Sequence, residues 1–376
     1  MATVIINDSH LTNIANAIRG KNGGTATYKP SEMGTAITNI KTVPSEAFVI
    51  GENQGNYKFA YNNWNWFIEQ YGNNITTNNI VGSYMFTQSS NLETIPFELN
   101  IKSNANSMFT NCKNLKSIGN ISFPESGCTA FFNLFYDCEK LRNLPNITNF
   151  FITATTGNSQ SGIFSNCYSL RTVSNYLSEF YKNVPTTKQI YASNSLYYEL
   201  FNNCYALDEV NNISVVLGKI ASGNAFYNTF TKCYRLKNIT FQKVNNQPVV
   251  AQWSGQTIDL SSYIGYTNLP SRITTDYNSG IKTNKKVNSA TTYQNLKNDP
   301  DWFTDNVAYS RYNHDSALAT IQSLPDTSAY LATAGGTNTI KFKSKSGSST
   351  EGGAINTLTE EEIAIATAKG WTITFI

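Results

Sequence analysis

One pattern, apolar-Phe-x-x-Cys-x-x-Leu-x-x-apolar, recurs six times between residues 85 and 241 and restricts what this chain can fold into. Its Phe stands at 86, 109, 135, 164, 201 and 230, so successive copies begin 23, 26, 29, 37 and 29 residues apart. Six residues after each Phe comes Leu92, Leu115, Leu141, Leu170, Leu207 or Leu236. Three further on comes Ile95, Ile118, Leu144, Val173, Val210 or Ile239. Five copies carry Cys112, Cys138, Cys167, Cys204 and Cys233, and the first carries Ser89. A unit repeated every ~20–50 residues cannot bury its apolar side alone, so it must stack against its neighbours.

Each copy has two halves. Around Phe-x-x-Cys the central residues are turn formers (Thr-Asn, Tyr-Asp, Ser-Asn, Asn-Asn), which predicts a bend with Phe and Cys inward. From Leu onward, apolar and polar residues alternate as in a short strand: Leu115-Lys-Ser-Ile118 runs on to Ile121-Ser-Phe123, and Leu236-Lys-Asn-Ile239 to Thr-Phe241. Stacked copies would form a narrow parallel sheet whose two ends need covering.

The pattern resembles the BspA-like leucine-rich repeat, Met-Phe-x-x-Cys-x-x-Leu-x-x-Ile, best seen at Met108–Ile118. That resemblance implies an α/β fold: a curved leucine-rich solenoid with short parallel strands. It also implies a surface adhesin or a phage tail-associated protein. The periodicity itself speaks only to the fold.

Six Cys raise the question of disulfides or a metal site. There is no C-x-x-C pair, and five of the six share one phase. Equivalent positions of stacked strands lie about 4.8 Å apart, close enough for some to pair. The simpler reading is a column of small buried free thiols. Cys128 lies between copies. No metal or cofactor is expected.

Composition sets bounds. Apolar residues make up 40%, enough for a core, while only 14% are charged and the net charge is +3. No Lys/Arg cluster with interleaved aromatics is present, so nucleic acid is not the expected partner. Aromatics reach 13%, with 22 Tyr, and Asn is frequent; such surfaces suit neutral polar ligands and other proteins. No apolar run reaches about 18 residues, so no membrane insertion is expected. Met1-Ala-Thr-Val-Ile-Ile has no secretory pattern, which points away from an exported adhesin and toward a virion assembled in the host cytoplasm.

Residues 1–42 read as a helical hairpin. Leu11, Ile14 and Ile18 line the first helix, ended by Gly20; Pro30 opens a second with Met33, Ile37 and Ile40. At about forty residues it is too small to bury a core alone and must dock elsewhere. Leu11-Thr-Asn-Ile-Ala-Asn-Ala-Ile-Arg-Gly with Lys29-Pro-Ser-Glu-Met33 resembles the N-terminal module of phage tail and baseplate-associated proteins. The resemblance implies attachment to other virion proteins, with homo-oligomers the usual form. His10 reads as a surface residue near a helix start.

Residues 43–84 hold Phe59, Tyr61, Trp64, Trp66, Phe67 and Tyr71 and should cover the open end of the core before the repeats of 85–245. The return segments between copies vary in length. The longest carries Tyr176, Phe180, Tyr181, Lys188, Tyr191, Tyr197 and Tyr198; the one before it carries Phe150 and Phe151, and 211–228 carries Phe226 and Tyr227. Insertions at one position of successive copies emerge on one face; of these residues Phe150, Phe151, Tyr176, Phe180, Tyr181, Lys188, Tyr191 and Tyr197 are the expected contact with a host-surface glycan or protein. For any single Tyr among them the core is the competing reading.

Residues 246–310 lose the Cys motif and read as irregular copies and loops, with Gln256-Thr-Ile-Asp-Leu260 a strand. In 311–376 two helix-then-strand units return. Thr339-Ile-Lys-Phe342 follows a helix at Asp315–Leu324, and Thr372-Ile-Thr-Phe375 follows one beginning at Thr359, with Glu in its first turn and Gly370 past its end. These predict two further copies and a helix-containing cap. The stretch also resembles C-terminal ends of BspA-like phage proteins.

No nucleophile elbow, zinc-protease, P-loop or dinucleotide motif is present. The one enzymatic route left is a pair of carboxylates cleaving a polysaccharide, with Glu179, Glu199, Asp208 and Glu209 near the long insertion. Nothing in the sequence pairs them. The expectation is a non-enzymatic virion protein, of tail, baseplate or fibre, that binds the host surface; the alternatives are a purely structural virion component and a bacterial adhesin.

Overall fold

The structure is a computed structural model. It describes residues 75–128, 130–153, 161–184, 189–191, 197–233, 236–261, 312–342 and 358–376, with 48–50 and positions 16, 64, 68, 69, 71 and 72. The attachment residues Leu11, Ile14, Ile18, Met33, Ile37 and Ile40 lie outside this set, as does Lys188.

The architecture mixes short parallel strands with a few helices. In chain order come β1 (Phe48–Ile50), β2 (Ile75–Thr77), β3 (Thr94–Ile95), β4 (Leu99–Asn100), β5 (Ser117–Ile118), β6 (Ile121–Ser122) and β7 (Ile147–Thr148). Then follow the short helix α1 (Ser174–Leu177), β8 (Gln189–Tyr191), β9 (Glu209–Ile213), β10 (Lys219–Ser222), β11 (Asn238–Phe241), β12 (Lys243–Val244), β13 (Gln247–Pro248) and β14 (Thr257–Leu260). The last part holds α2 (His314–Ser323), α3 (Ser328–Ala334), β15 (Asn338–Phe342), α4 (Glu360–Ala368) and β16 (Trp371–Phe375).

The six copies lie side by side in chain order. Each Phe N–H donates to the carbonyl just before the next Phe: Phe86 to Met108, Phe109 to Leu134, Phe135 to Ile163, Phe164 to Leu200 and Phe201 to Thr229, at 2.8–3.1 Å. The rings stack accordingly. Phe86, Phe109, Phe135, Phe164, Phe201 and Phe230 form one buried column with centroids 5.2–5.9 Å apart, and Trp64 sits on its Phe86 end at 4.5 Å.

The thiols occupy the same phase. Each Sγ donates to the carbonyl of the previous copy's Phe: Cys112 to Phe86, Cys138 to Phe109, Cys167 to Phe135, Cys204 to Phe164 and Cys233 to Phe201, at 3.0–3.2 Å. All six Cys are free and buried, as the single phase of five of them suggested.

The turn half explains the asparagines. Two positions in each copy are left-handed, two residues before and two after Phe. The first set is Tyr84, Ser107, Asn133, Gly162, Glu199 and Asn228; the second is Gln88, Asn111, Asp137, Asn166, Asn203 and Lys232. Asn tolerates positive φ better than most residues, so a turn repeated this way draws it in. Gly162 is the one glycine in either set, and a Cβ there would lie 2.4 Å from Asn133 Oδ1.

The strand half departs from one continuous sheet. The groups β3–β5, β4–β6–β7 and β9–β11 are separate and parallel, and the single bridges Asn143–Thr172–Glu209 extend only the β9–β11 ladder toward earlier copies. Between them, Gly119 lies so close to the carbonyl of Phe97 that a Cβ would fall 2.1 Å from that oxygen.

At the C-terminal end β14, β15 and β16 form a parallel sheet in register, aligning Ile258, Ile340 and Ile373, then Leu260, Phe342 and Phe375. α2 and α4 begin with capping boxes, Asn313 with Ser316 and Thr359 with Glu362. His314 joins the two helix starts, its Nε2 3.0 Å from Glu362 and its Nδ1 3.2 Å from Asp315. The hydrogen bond to Glu362, then that to Asp315, raises the imidazole pKa; Glu362 is lowered first by the Thr359 N–H that donates to it and then by His314. Stability from a raised His is full below its unfolded pKa, about 6.5, and lost as pH rises through the higher folded value. The Glu362 part requires pH above the ordinary Glu range. Melting temperature should therefore fall from pH 6 to pH 8.5, and His314→Gln should flatten that fall; an unchanged slope would remove the pair from the account.

Candidate functional site

Five of the aromatics expected on the insertion face are in the core instead. Phe150, Phe151, Phe180, Tyr181 and Tyr197 are all 5% exposed or less. A second aromatic run fills the interior beside the Phe column. Phe123, Phe131, Phe150, Phe180, Tyr181, Tyr197, Phe226 and Trp253 meet in sequence at 4.4–5.6 Å, mostly edge to face. The physical reason is width. Longer return segments leave a broader interior, and aromatic rings fill it. Tyr197 spends its hydroxyl inside, donating to the Ser214 carbonyl at 2.5 Å. Tyr176 is half-buried and donates to the Pro145 carbonyl at 2.6 Å. Tyr191 lies in β8, paired with β10.

Tyr181 tests this correction. Its hydroxyl is buried and has no hydrogen-bond partner among the described residues. A buried polar group left so costs about 1–3 kcal/mol. Tyr181→Phe should thus be neutral or stabilising by about 1 kcal/mol, read as a denaturation midpoint. A clear loss of stability would mean that the hydroxyl has a partner.

The turns of the repeat carry two further tyrosine pairs. Tyr168 stacks on Tyr205 at 4.8 Å, both buried, and Tyr198 on Tyr227 at 4.9 Å, nearer the surface. Tyr227 and Tyr84 are about half exposed, at 48% and 51%. Tyr136 hydrogen-bonds Asn166, whose Oδ1 accepts from Asn203 at 2.7 Å. Asn228 donates to Glu199 at 3.5 Å.

A charged cluster lies on the turns of the second and third copies. Lys113 pairs with Asp137 at 2.8 Å and Glu139 at 2.7 Å. Burial, then the charge of Asp137, raises the Glu139 pKa against the pull of Lys113. Burial works to lower the Lys113 ammonium, and the two carboxylates outweigh it, so its pKa stands above the ordinary value.

Aligning the copies on Phe also shows these tyrosines as columns. Four residues after each Phe, the later copies carry Tyr168 and Tyr205; three before it, Tyr198 and Tyr227. What no periodicity signals is the groove of about 400 Å³ where α2 meets β9 and β11, lined by Glu209, Lys237, Asn238, Asn313, Asp315 and Ser316. Glu209 and Lys237 form an ion pair at 2.5 Å in its wall. Of the four carboxylates considered for glycan cleavage, only Glu209 lines this groove, and it is spent on Lys237.

Among the described residues no group of three His, Cys, Asp or Glu is placed to hold a metal ion. No helix among them is long and apolar enough to cross a membrane. No family model, curated protein or solved structure matches the chain.

Proposed function

We propose that the chain is a BspA-like leucine-rich solenoid carried on a bacteriophage particle, in its tail, baseplate or fibre, and that the turn face of its repeats contacts the host surface. The observation that carries this reading is the single phase in which six copies bury Phe and Leu, five of them Cys as well, while left-handed turn positions rich in Asn and, in the last two copies, Tyr198 and Tyr227 lie outside the column. A repeated polar and aromatic surface on a rigid apolar column is a form suited to binding an extended partner. Residues 1–42, which lie almost wholly outside the described residues, attach it to other virion proteins, a role resting on their resemblance to tail and baseplate modules.

The reading is of a binding protein rather than an enzyme. Burial pushes the Cys112 thiol up to about 12 and Cys138 well above its ordinary value, which makes them poor nucleophiles. A second reading, a bridge between neighbouring virion subunits, has one observation in its favour. Among the described residues β16 is the outer strand of its sheet, with Phe375 37% and Ile376 51% exposed.

The test is particle incorporation. Antibody against the chain should label purified phage particles, and a phage encoding the chain without residues 1–42 should yield particles that lack it. Unlabelled wild-type particles would remove the virion reading. Labelled particles from the deletion would remove the anchor alone.

A further inference from the structure

We propose that Tyr198 and Tyr227 form a shelf for a neutral pyranose ring, with Glu199 and Asn228 binding its hydroxyls. This deepens the host-contact reading above and rests on it. The two rings lie 4.9 Å apart and 20° from parallel. Earlier copies place Ser83, Asn106, Phe132 and Ser161 at the same position, so the tyrosine pair belongs to the last two copies. Among the described residues no further ring stacks on Tyr227, which ends the column 48% exposed.

Isolated exposed aromatics need no explanation. This one is held in place. Glu199 N–H donates to the Tyr227 carbonyl at 2.9 Å, and Gly162 N–H to that of Tyr198 at 3.1 Å, so backbone bonds fix both ring bases. A ring held by its neighbour loses little freedom when a ligand stacks on it. A sugar ring has the matching chemistry: C–H bonds on its faces and hydroxyls around its rim. The rim hydroxyls have partners at hand. Glu199 Oε1 accepts from Asn228 Nδ2 over 3.5 Å, a long contact that a sugar hydroxyl can replace or share. Thr231 Oγ1 reaches Asn228 Oδ1 at 3.4 Å and orients that amide.

The carboxylate also sets selectivity. Glu199 follows Tyr198 directly, and its charge contributes to raising the phenol's pKa after burial. A negative group at the rim repels sialic acids and uronates, so the shelf favours uncharged hexoses and N-acetylhexosamines. A proline-rich peptide would also stack on tyrosine but has no hydroxyls for the Glu199–Asn228 pair.

The experiment uses the full chain on an array of immobilised glucose-, galactose-, N-acetylglucosamine-, sialic acid- and uronate-terminated glycans. Binding to one or more neutral glycans is expected, weakened about tenfold by Tyr227→Ala and restored by Tyr227→Phe, which keeps the ring. Tyr227 is exposed, so the Ala variant should keep the wild-type melting temperature, which separates lost binding from lost folding. Glu199→Gln should admit acidic glycans. Unchanged binding by Tyr227→Ala would overturn the shelf. So would a wild-type chain that binds bacterial cells but no glycan on the array, and in that case host contact would stand without it.

Discussion

Replacing Phe109 with Ala is expected to destabilise the protein by about 3–5 kcal/mol. Phe109 is fully buried and stacks on both sides, on Phe86 at 5.4 Å and on Phe135 at 5.2 Å. Its removal takes away a large apolar side chain and opens a cavity in the middle of the column. The neighbouring copies are tied by backbone bonds from Phe86 to Met108 and from Phe109 to Leu134, so they cannot close it. Denaturant midpoint is the direct readout, with Phe109→Leu as a milder control. A near-zero shift for Phe109→Ala would mean that the copies do not stack in this phase.

Asn338→Leu should cost about as much, roughly 3–5 kcal/mol, by another route. Asn338 is fully buried at the start of β15. Its Oδ1 accepts from Gln256 N–H at 2.9 Å, and its Nδ2 donates to the Trp253 carbonyl and to Thr327 Oγ1, each at 3.0 Å. Leucine has nearly the same shape and none of these atoms. It leaves a backbone N–H and a carbonyl buried without that partner, at about 1–3 kcal/mol each. Thr327 keeps a second bond, to the Lys369 carbonyl, and is the least affected. Thermal melts of the full chain would check this; a loss under about 1 kcal/mol would mean that the three contacts are not made together.

These two residues also mark what the sequence could and could not tell. Phe109 was legible because its place is periodic: six Phe in one phase have no simpler use than a shared interior. Asn338 was not, since a buried amide is defined by three partners up to 85 residues away and carries no local signal. The same limit applies to Phe150, Phe180 and Tyr197. Where a return segment leaves the column was readable from spacing, but whether its rings turn outward or inward was decided by interior width. Composition is blind to that. The exposed tyrosine pair, Tyr198 with Tyr227, lies in the return segments, and its stacking was present in the sequence as a column when residues are aligned on Phe. The left-handed positions, where Asn111, Asn133, Asn166, Asn203 and Asn228 sit, give the Asn content a backbone cause.

The most direct test of the whole account is competition for phage adsorption. Purified full-length chain, added to host bacteria before the phage, should bind the cells and reduce adsorption in proportion to the sites it occupies, and the same chain carrying Tyr227→Ala should compete less well. A folded chain that neither binds the cells nor slows adsorption would contradict host contact and leave the subunit-bridging role at β16 as the reading to pursue.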